Sequence, residues 1–198
     1  MALTKVQAEG VNLADTFAFT GTVSGTSLDH ILTTDVSDGD ASVIFNSTYI
    51  TTAYRSYEVR ITGYEPVTDG TQLRCYPSID NGSNFVATIQ SGRLYRQVDN
   101  GSQNGMEAHS NDSYFQVGGT MGNDDNQTAS AIVQLTGITS AVHRKWIFSK
   151  LVGKHNANAY MWNAGVNIPT NSAINYLKFQ SSSGNITAGR FSLYGVKS

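Results

Sequence analysis

Residues 173–198, AINYLKFQSSSGNITAGRFSLYGVKS, decide the fold. In AINYLKF (173–179), Ala173, Leu177 and Phe179 fall on one side of an alternating run, with Ile174, Tyr176 and Lys178 on the other. In RFSLYGV (190–196), Phe191 and Leu193 oppose Arg190, Ser192 and Tyr194. A period of two built from aromatic and branched residues predicts half-buried strands, and the Ser/Gly/Asn run at 181–185 predicts the bend between them. The last strand comes so close to the final residue that it is expected inside a sheet.

Moving outward, the same pattern recurs at short spacing. LDHILTT (28–34) and ASVIFNS (41–47) flank the turn-forming DVSDGD, and SYEVRITGY (56–64) sets Tyr57, Val59 and Ile61 against Glu58, Arg60 and Thr62. TQLRCYPSI (71–79) follows, its Pro77 marking an edge or bulge because proline lacks the ladder donor. The triplet Asp80-Asn81-Gly82 suits a turn with positive φ. NFVATIQ (84–90) and GRLYRQV (92–98) are expected as strands and 99–112 as a long polar loop. SYFQVGG (113–119), TASAIVQLTGI (128–138), HRKWIFSKLV (143–152) and AYMWNAGV (159–166) complete roughly ten strands. No stretch has helical periodicity, no repeat of 20–50 residues is visible and no heptads occur. The fold class is therefore all-β: a single jelly-roll-like antiparallel β-sandwich over 28–198 with an extended N-terminal arm over 1–27.

The arm, MALTKVQAEGVNLADTFAFTGTVSG, is too polar for a core of its own and too apolar for a free tail. Val6, Val11, Leu13, Phe17, Phe19 and Val23 are its docking residues, expected to gain burial on another surface such as a neighbouring subunit. Its opening lacks the apolar run of a signal peptide, so the mature chain is expected to start at or near Met1 and to be made in a cytoplasm.

Composition narrows the function. With 13 Lys+Arg, 15 Asp+Glu and a net charge of −2, the chain has neither the basic footprint of a nucleic-acid binder nor a polybasic membrane patch. No apolar run approaches the ~20 residues of a membrane span. Charged residues are 14%, well below the roughly 25% of an average soluble domain. Ser, Thr and Asn, 57 of 198 residues, take their place, a surface suited to subunits packed without mutual repulsion. The single Cys75 rules out an internal disulfide and reads as a small buried residue.

Motifs for chemistry are sparse. Gly21-Thr22-Val23-Ser24-Gly25 misses the nucleophile-elbow spacing by one residue and joins no strand to a helix. The four histidines are dispersed. Asp35, Asp38 and Asp40 crowd a glycine turn and are the candidates for a calcium site, while Asn123-Asp124-Asp125-Asn126 offers a second run of oxygens; backbone capping by Asp and Asn accounts for both. HRK (143–145) reads as solvated or interface-pairing. Tyr160 and Trp162 share a strand side, and flat rings stack on sugars, so they form a possible glycan platform; filling the core or an interface is the competing reading. No catalytic residue, metal or cofactor is assigned, and a non-enzymatic role is expected.

Two blocks resemble a known family. SYEVRITGYEPVTDGTQLRCYPSIDNGSNF (56–85) is similar to a strand–turn–strand–DNG block, and INYLKFQSSSGNITAGRFSLYGVK (174–197) to a closing SGNIT-x-G-x-F-x-LYG hairpin. Both resemble β-sandwich virion structural proteins of tailed bacteriophages, particularly aquatic and cyanobacterial phages, and MALTKV resembles the opening of many of them. The resemblance implies a homotrimeric, non-enzymatic surface component of the virion, assembled in the host cytoplasm. It would dock by its N-terminal arm to major capsid or tail proteins, as head decoration (a cement protein) or a short tail fibre. The alternative is a carbohydrate-binding, receptor-binding module, calcium-assisted, that uses a host surface glycan.

Overall fold

The computed structural model describes residues 27–37, 39–98 and 103–197. These form twelve strands and no helix: β1 (Leu28–Val36), β2 (Val43–Phe45), β3 (Ser56–Pro66), β4 (Thr71–Ser78), β5 (Ile89–Val98), β6 (Gln103–Asp112), β7 (Phe115–Met121), β8 (Ala129–Thr136), β9 (Lys145–His155), β10 (Asn158–Ile168), β11 (Tyr176–Ser181) and β12 (Ile186–Val196). They make two antiparallel sheets, a large one in the order β1-β12-β3-β8-β9-β10-β5-β6 and a small one in the order β2-β11-β4-β7. The all-β sandwich expected from the sequence is the fold. The closing strand β12 lies inside the large sheet, paired with β1 on one side and β3 on the other.

Alternation builds the core between the sheets. Tyr57, Val59 and Ile61 of β3, Val133 and Leu135 of β8, Ile147 and Leu151 of β9, and Phe191 and Leu193 of β12 point inward. They meet Leu73, Cys75, Phe115, Val117, Leu177 and Phe179 of the small sheet, which are equally buried. Each such side chain contributes about 1.5–3 kcal/mol on burial. Phe45 meets Phe179 edge to face at 6.1 Å within the small sheet, a geometry that suits the ring quadrupole, and Phe179 in turn lies 5.9 Å from Phe191 across the layers. Tyr64 and Ser149, trapped between the layers, find partners. Tyr64 Oη and Ser181 Oγ are 2.8 Å apart, and Ser149 Oγ donates to the Val117 carbonyl at 2.6 Å. Burial pushes the Tyr64 phenol up to about 12 and raises the Cys75 thiol well above its ordinary value, so both stay neutral. Gly118 lets β7 come close: a Cβ there would lie 2.2 Å from Leu151 Cδ1.

Three local expectations are corrected. Residues 84–88 are not a strand; Phe85 makes one isolated bridge to Ser78, and Thr88 at φ 65° breaks the extended run before β5 begins at Ile89. The stretch expected as the polar loop 99–112 contains β6, paired to β5 from Gln97↔Gln103 to Ile89↔Asp112. Lys145 of the HRK triplet is buried, not solvated. Its Nζ donates to the Ser140 carbonyl at 2.6 Å and to that of His143, which closes the β8–β9 loop. The Asp80–Gly82 turn is as expected, with Asn81 and Gly82 at φ 57° and 91°. Hydrogen bonds from Asn84 and Ser78 hold the Asp80 carboxyl down to about 2.

Candidate functional site

The small sheet covers only the inner face of the large one, so the outer face of all eight strands remains open among the described residues. Its registers are continuous. One row reads Met106, Leu94, Asn163, Lys150, Ile132, Arg60, Ser192, Thr33; the next reads Ala108, Gly92, Gly165, Phe148, Gln134, Glu58, Tyr194, His30. A third row contains Arg96, Met161, Val152, Ser130, Thr62, Arg190 and Asp35.

These rows divide into two halves. Over β1, β12 and β3 the polar side chains satisfy one another. Arg190 clasps Asp35 through Nε at 2.6 Å and Nη2 at 3.2 Å. Arg60 Nε donates to Glu58 at 2.7 Å and its guanidinium lies 5.1 Å from the Tyr194 ring centroid. Gln134 donates to the other Glu58 oxygen at 3.2 Å, and Thr33 and Ser192 share a hydrogen bond of 2.8 Å.

Over β8, β9, β10, β5 and β6 large apolar side chains instead stand outward, interspersed with Asn163, Lys150, Gln134, Ser130, Arg96 and small residues. Met106 is 80% exposed, Val152 56%, Phe148 55%, and Trp146 and Leu94 53% each, with Ile132 and Met161 beside them. Seven such side chains exposed on adjacent strands are the kind of surface that marks an interaction site. The relief is uneven. A Cβ built on Gly92 or Gly165 meets nothing within 4 Å, so Ala108, Gly92 and Gly165 floor a trough ending at Phe148, with Leu94 and Met106 along one side. The trough measures about 680 Å³. Lys150 and Arg96 stand among these residues without an ion-pair partner among the described residues. Such a surface can bind an apolar, weakly acidic partner.

A second feature lies on the inner face. The small sheet ends at β7, which packs on β8, β9, β10 and β5; β6 extends past it. Beneath this overhang is a cleft of about 230 Å³ lined by Gln72, Arg93, Tyr95, Gln97, Thr120, Tyr160 and Trp162, among others. Tyr160 and Trp162 are brought together here. Trp162 is only 6% exposed, with Tyr95 parallel to it at 6.0 Å and the Arg93 guanidinium 4.9 Å from its centroid. Arg93 also binds Glu107 through Nε at 2.7 Å, and this holds the Glu107 carboxyl below its ordinary range. The tryptophan Nε1 is buried without a hydrogen-bond partner. Tyr95, Arg93 and Glu107 gave no signal in the sequence because they alternate on β5 and β6, where no apolar period shows.

The remaining candidates are dispersed. Asp35 is committed to Arg190, which lowers its carboxyl, and Asp40 is exposed, its carbonyl accepting from the Ile186 amide at 2.8 Å. Asp38, the stretch 21–25 and the docking residues Val6, Val11, Leu13, Phe17, Phe19 and Val23 lie outside the described residues. Asp124 is engaged by Gln127 Nε2 at 2.6 Å and Asn123 donates to the Val67 carbonyl at 2.9 Å, so that run shapes its own loop. No three metal-ligating side chains converge among the described residues. The outer apolar surface was legible only in β9, where Trp146-Ile147-Phe148 and Leu151-Val152 put apolar residues on both strand sides. Compared with protein families, with curated proteins and with solved structures, the chain shows no match.

Proposed function

We propose that this chain is a structural, non-enzymatic component of a tailed-phage virion, a homotrimer displayed on the particle as head decoration or as a short tail fibre. The observation that supports this most is the bare apolar half of the large sheet. A sandwich that leaves tryptophan, phenylalanine and methionine exposed on one half of a sheet face presents a surface suited to completion by other polypeptide. The two sequence blocks that resemble phage sandwich proteins fall in strands flanking the core and agree with the same reading. Function then resides in shape and repeated contact: several copies docked at once hold far more tightly than one. Capsid or tail proteins are the partners.

Imaging and quantitative mass spectrometry of purified particles test this. Hundreds of copies per particle mean head decoration, a few trimers mean a tail appendage, and absence from the particle overturns the proposal.

The inner cleft favours a second reading, capture of a sugar unit between Tyr160, Tyr95 and the Gln72 and Gln97 amides, which combine ring faces with hydrogen-bonding groups. Glycan-array binding lost in Tyr160→Ala and Gln97→Ala, with the fold retained, supports it; no glycan bound by the wild type removes it.

A further inference from the structure

The open question on the outer face is what covers it, and the part of the chain before Ser27 supplies an answer. Positions 11, 13, 15, 17, 19, 21 and 23 are Val, Leu, Asp, Phe, Phe, Gly and Val, while 12, 14, 16, 18, 20 and 22 are Asn, Ala, Thr, Ala, Thr and Thr. Laid out as a strand, this segment has one side carrying two aromatics, three aliphatics and a single acid, and another side that is small and polar. It is the complement of a sheet face that is apolar, notched and weakly basic.

We propose that residues 11–23 of a neighbouring copy of this chain pack on the apolar half of the outer face, so that the arm is exchanged between subunits. This inference rests on reading that face as an assembly surface.

Length, relief and charge each support it. Twelve residue steps extend about 40 Å and the ten steps of β9 about 34 Å, so the segment can run along β9 and β10 in the aligned manner of stacked sheets. The trough floored by Ala108, Gly92 and Gly165 has room for a phenylalanine ring, as Phe17 and Phe19 require. The segment's one inward acid, Asp15, enters a field whose ionic groups include Lys150 and Arg96, neither ion-paired among the described residues. A charge pair inside an apolar contact fixes register more than it adds affinity.

The exit point favours a neighbour over the same molecule. The Ser27 carbonyl accepts the Lys197 amide at 3.2 Å, pinning the start of the described chain at β1, the edge farthest from the apolar half. Four residue steps from Ser27 back to Val23 cover about 13 Å, whereas β9 lies four strand spacings from β1, about 19 Å. A chain laid on its own sheet would set Val23 over the polar half, among Tyr194, Glu58 and Arg60. An arm arriving from another copy can seat its whole apolar side.

The test is a cross-link that only two copies can form. Full-length chains carrying Asp15→Asn and Lys150→Gln are co-expressed and treated with a carbodiimide, which joins carboxylates to amines. The expected product is a covalent dimer whose peptides join Asp15 of one chain to Lys150 of the other, lost when both chains also carry Phe148→Asp. Melting curves matching the wild type keep that last variant interpretable. An Asp15–Lys150 link found only within single wild-type chains overturns the exchange. Absence of any link between 11–23 and the face overturns it too, and if the chain nevertheless associates through Phe148, the assembly reading survives without the arm.

Discussion

The two halves of the large sheet's outer face are made by the same strand alternation and end up opposite in character. Over β1, β12 and β3, outward positions hold Asp35 with Arg190, Glu58 with Arg60, and Thr33 with Ser192, pairs that meet each other's needs at the surface. Over β8 to β6, the equivalent positions include Ile132, Phe148, Val152, Met161, Leu94 and Met106, exposed between Asn163, Lys150, Ser130 and Arg96. A sheet finished toward solvent reads like the first half. The second half reads like the inner face of a sandwich whose second layer is missing. On the proposed reading, the second half is the face that meets other polypeptide.

That contrast can be broken in several places. The largest effect is expected on the inner side, beneath the polar half, where Phe191 is fully buried. Phe191→Ala removes a core ring and should cost about 3–5 kcal/mol of folding stability; urea unfolding measures it. Phe148→Ala, the same chemistry on the bare half, should change protomer stability by no more than about 0.5 kcal/mol. Equal costs at the two sites would erase the distinction between core and surface.

Next comes Gly165→Val, which fills the trough floor where a Cβ meets nothing. Folding should be unchanged or slightly firmer, since glycine weakens a strand interior, while self-association falls about tenfold, a loss of about 1.4 kcal/mol. Sedimentation over a dilution series reads this, and undiminished association would mean that the trough is not part of the contact.

A smaller response separates the halves by pH. Arg190, through its hydrogen bonds and then its charge, holds the Asp35 carboxyl below its ordinary value of 3.8. A depressed carboxylate contributes stability that is present above that ordinary value and is lost as pH falls through the folded pKa. An NMR titration of the Asp35 carboxyl should therefore have its midpoint below 3.8. A midpoint at or above it would show the clasp to be ineffective. The smallest effect is Asp35→Asn at neutral pH. An exposed pair of this kind contributes little, so melting and association should both match the wild type.

Much of this architecture was legible in the chain. The strands around the core announced themselves because one side of each is apolar and the other polar: Tyr57, Val59 and Ile61 in β3, Phe191 and Leu193 in β12. β6 did not, since Asn104-Gly105-Met106-Glu107-Ala108 sits past the small sheet and has no buried side to impose a period; pairing with β5 alone holds it. The run 84–90 misled in the opposite direction, apolar enough for a strand yet broken by the positive φ of Thr88. Of the candidate site, the KWIFSKLV run carried the clue. Trp146, Phe148 and Val152 on one side and Ile147 and Leu151 on the other mean a strand that seeks apolar contact on both faces. Which of those faces the small sheet would cover depends on long-range pairing, and no local pattern encodes it. Tyr160 and Trp162 were found as a pair, but the overhang that turns them into a cleft depends on β7 ending short of β6.

The most direct measurement is the solution mass of the full-length chain by sedimentation, compared with Phe148→Asp under identical conditions. A bare half-face completed by sister chains predicts a three-copy mass for the wild type and a single-copy mass for the variant, with coincident melting curves. A wild-type chain that sediments as a single copy, or a variant that keeps the wild-type mass, would contradict the account.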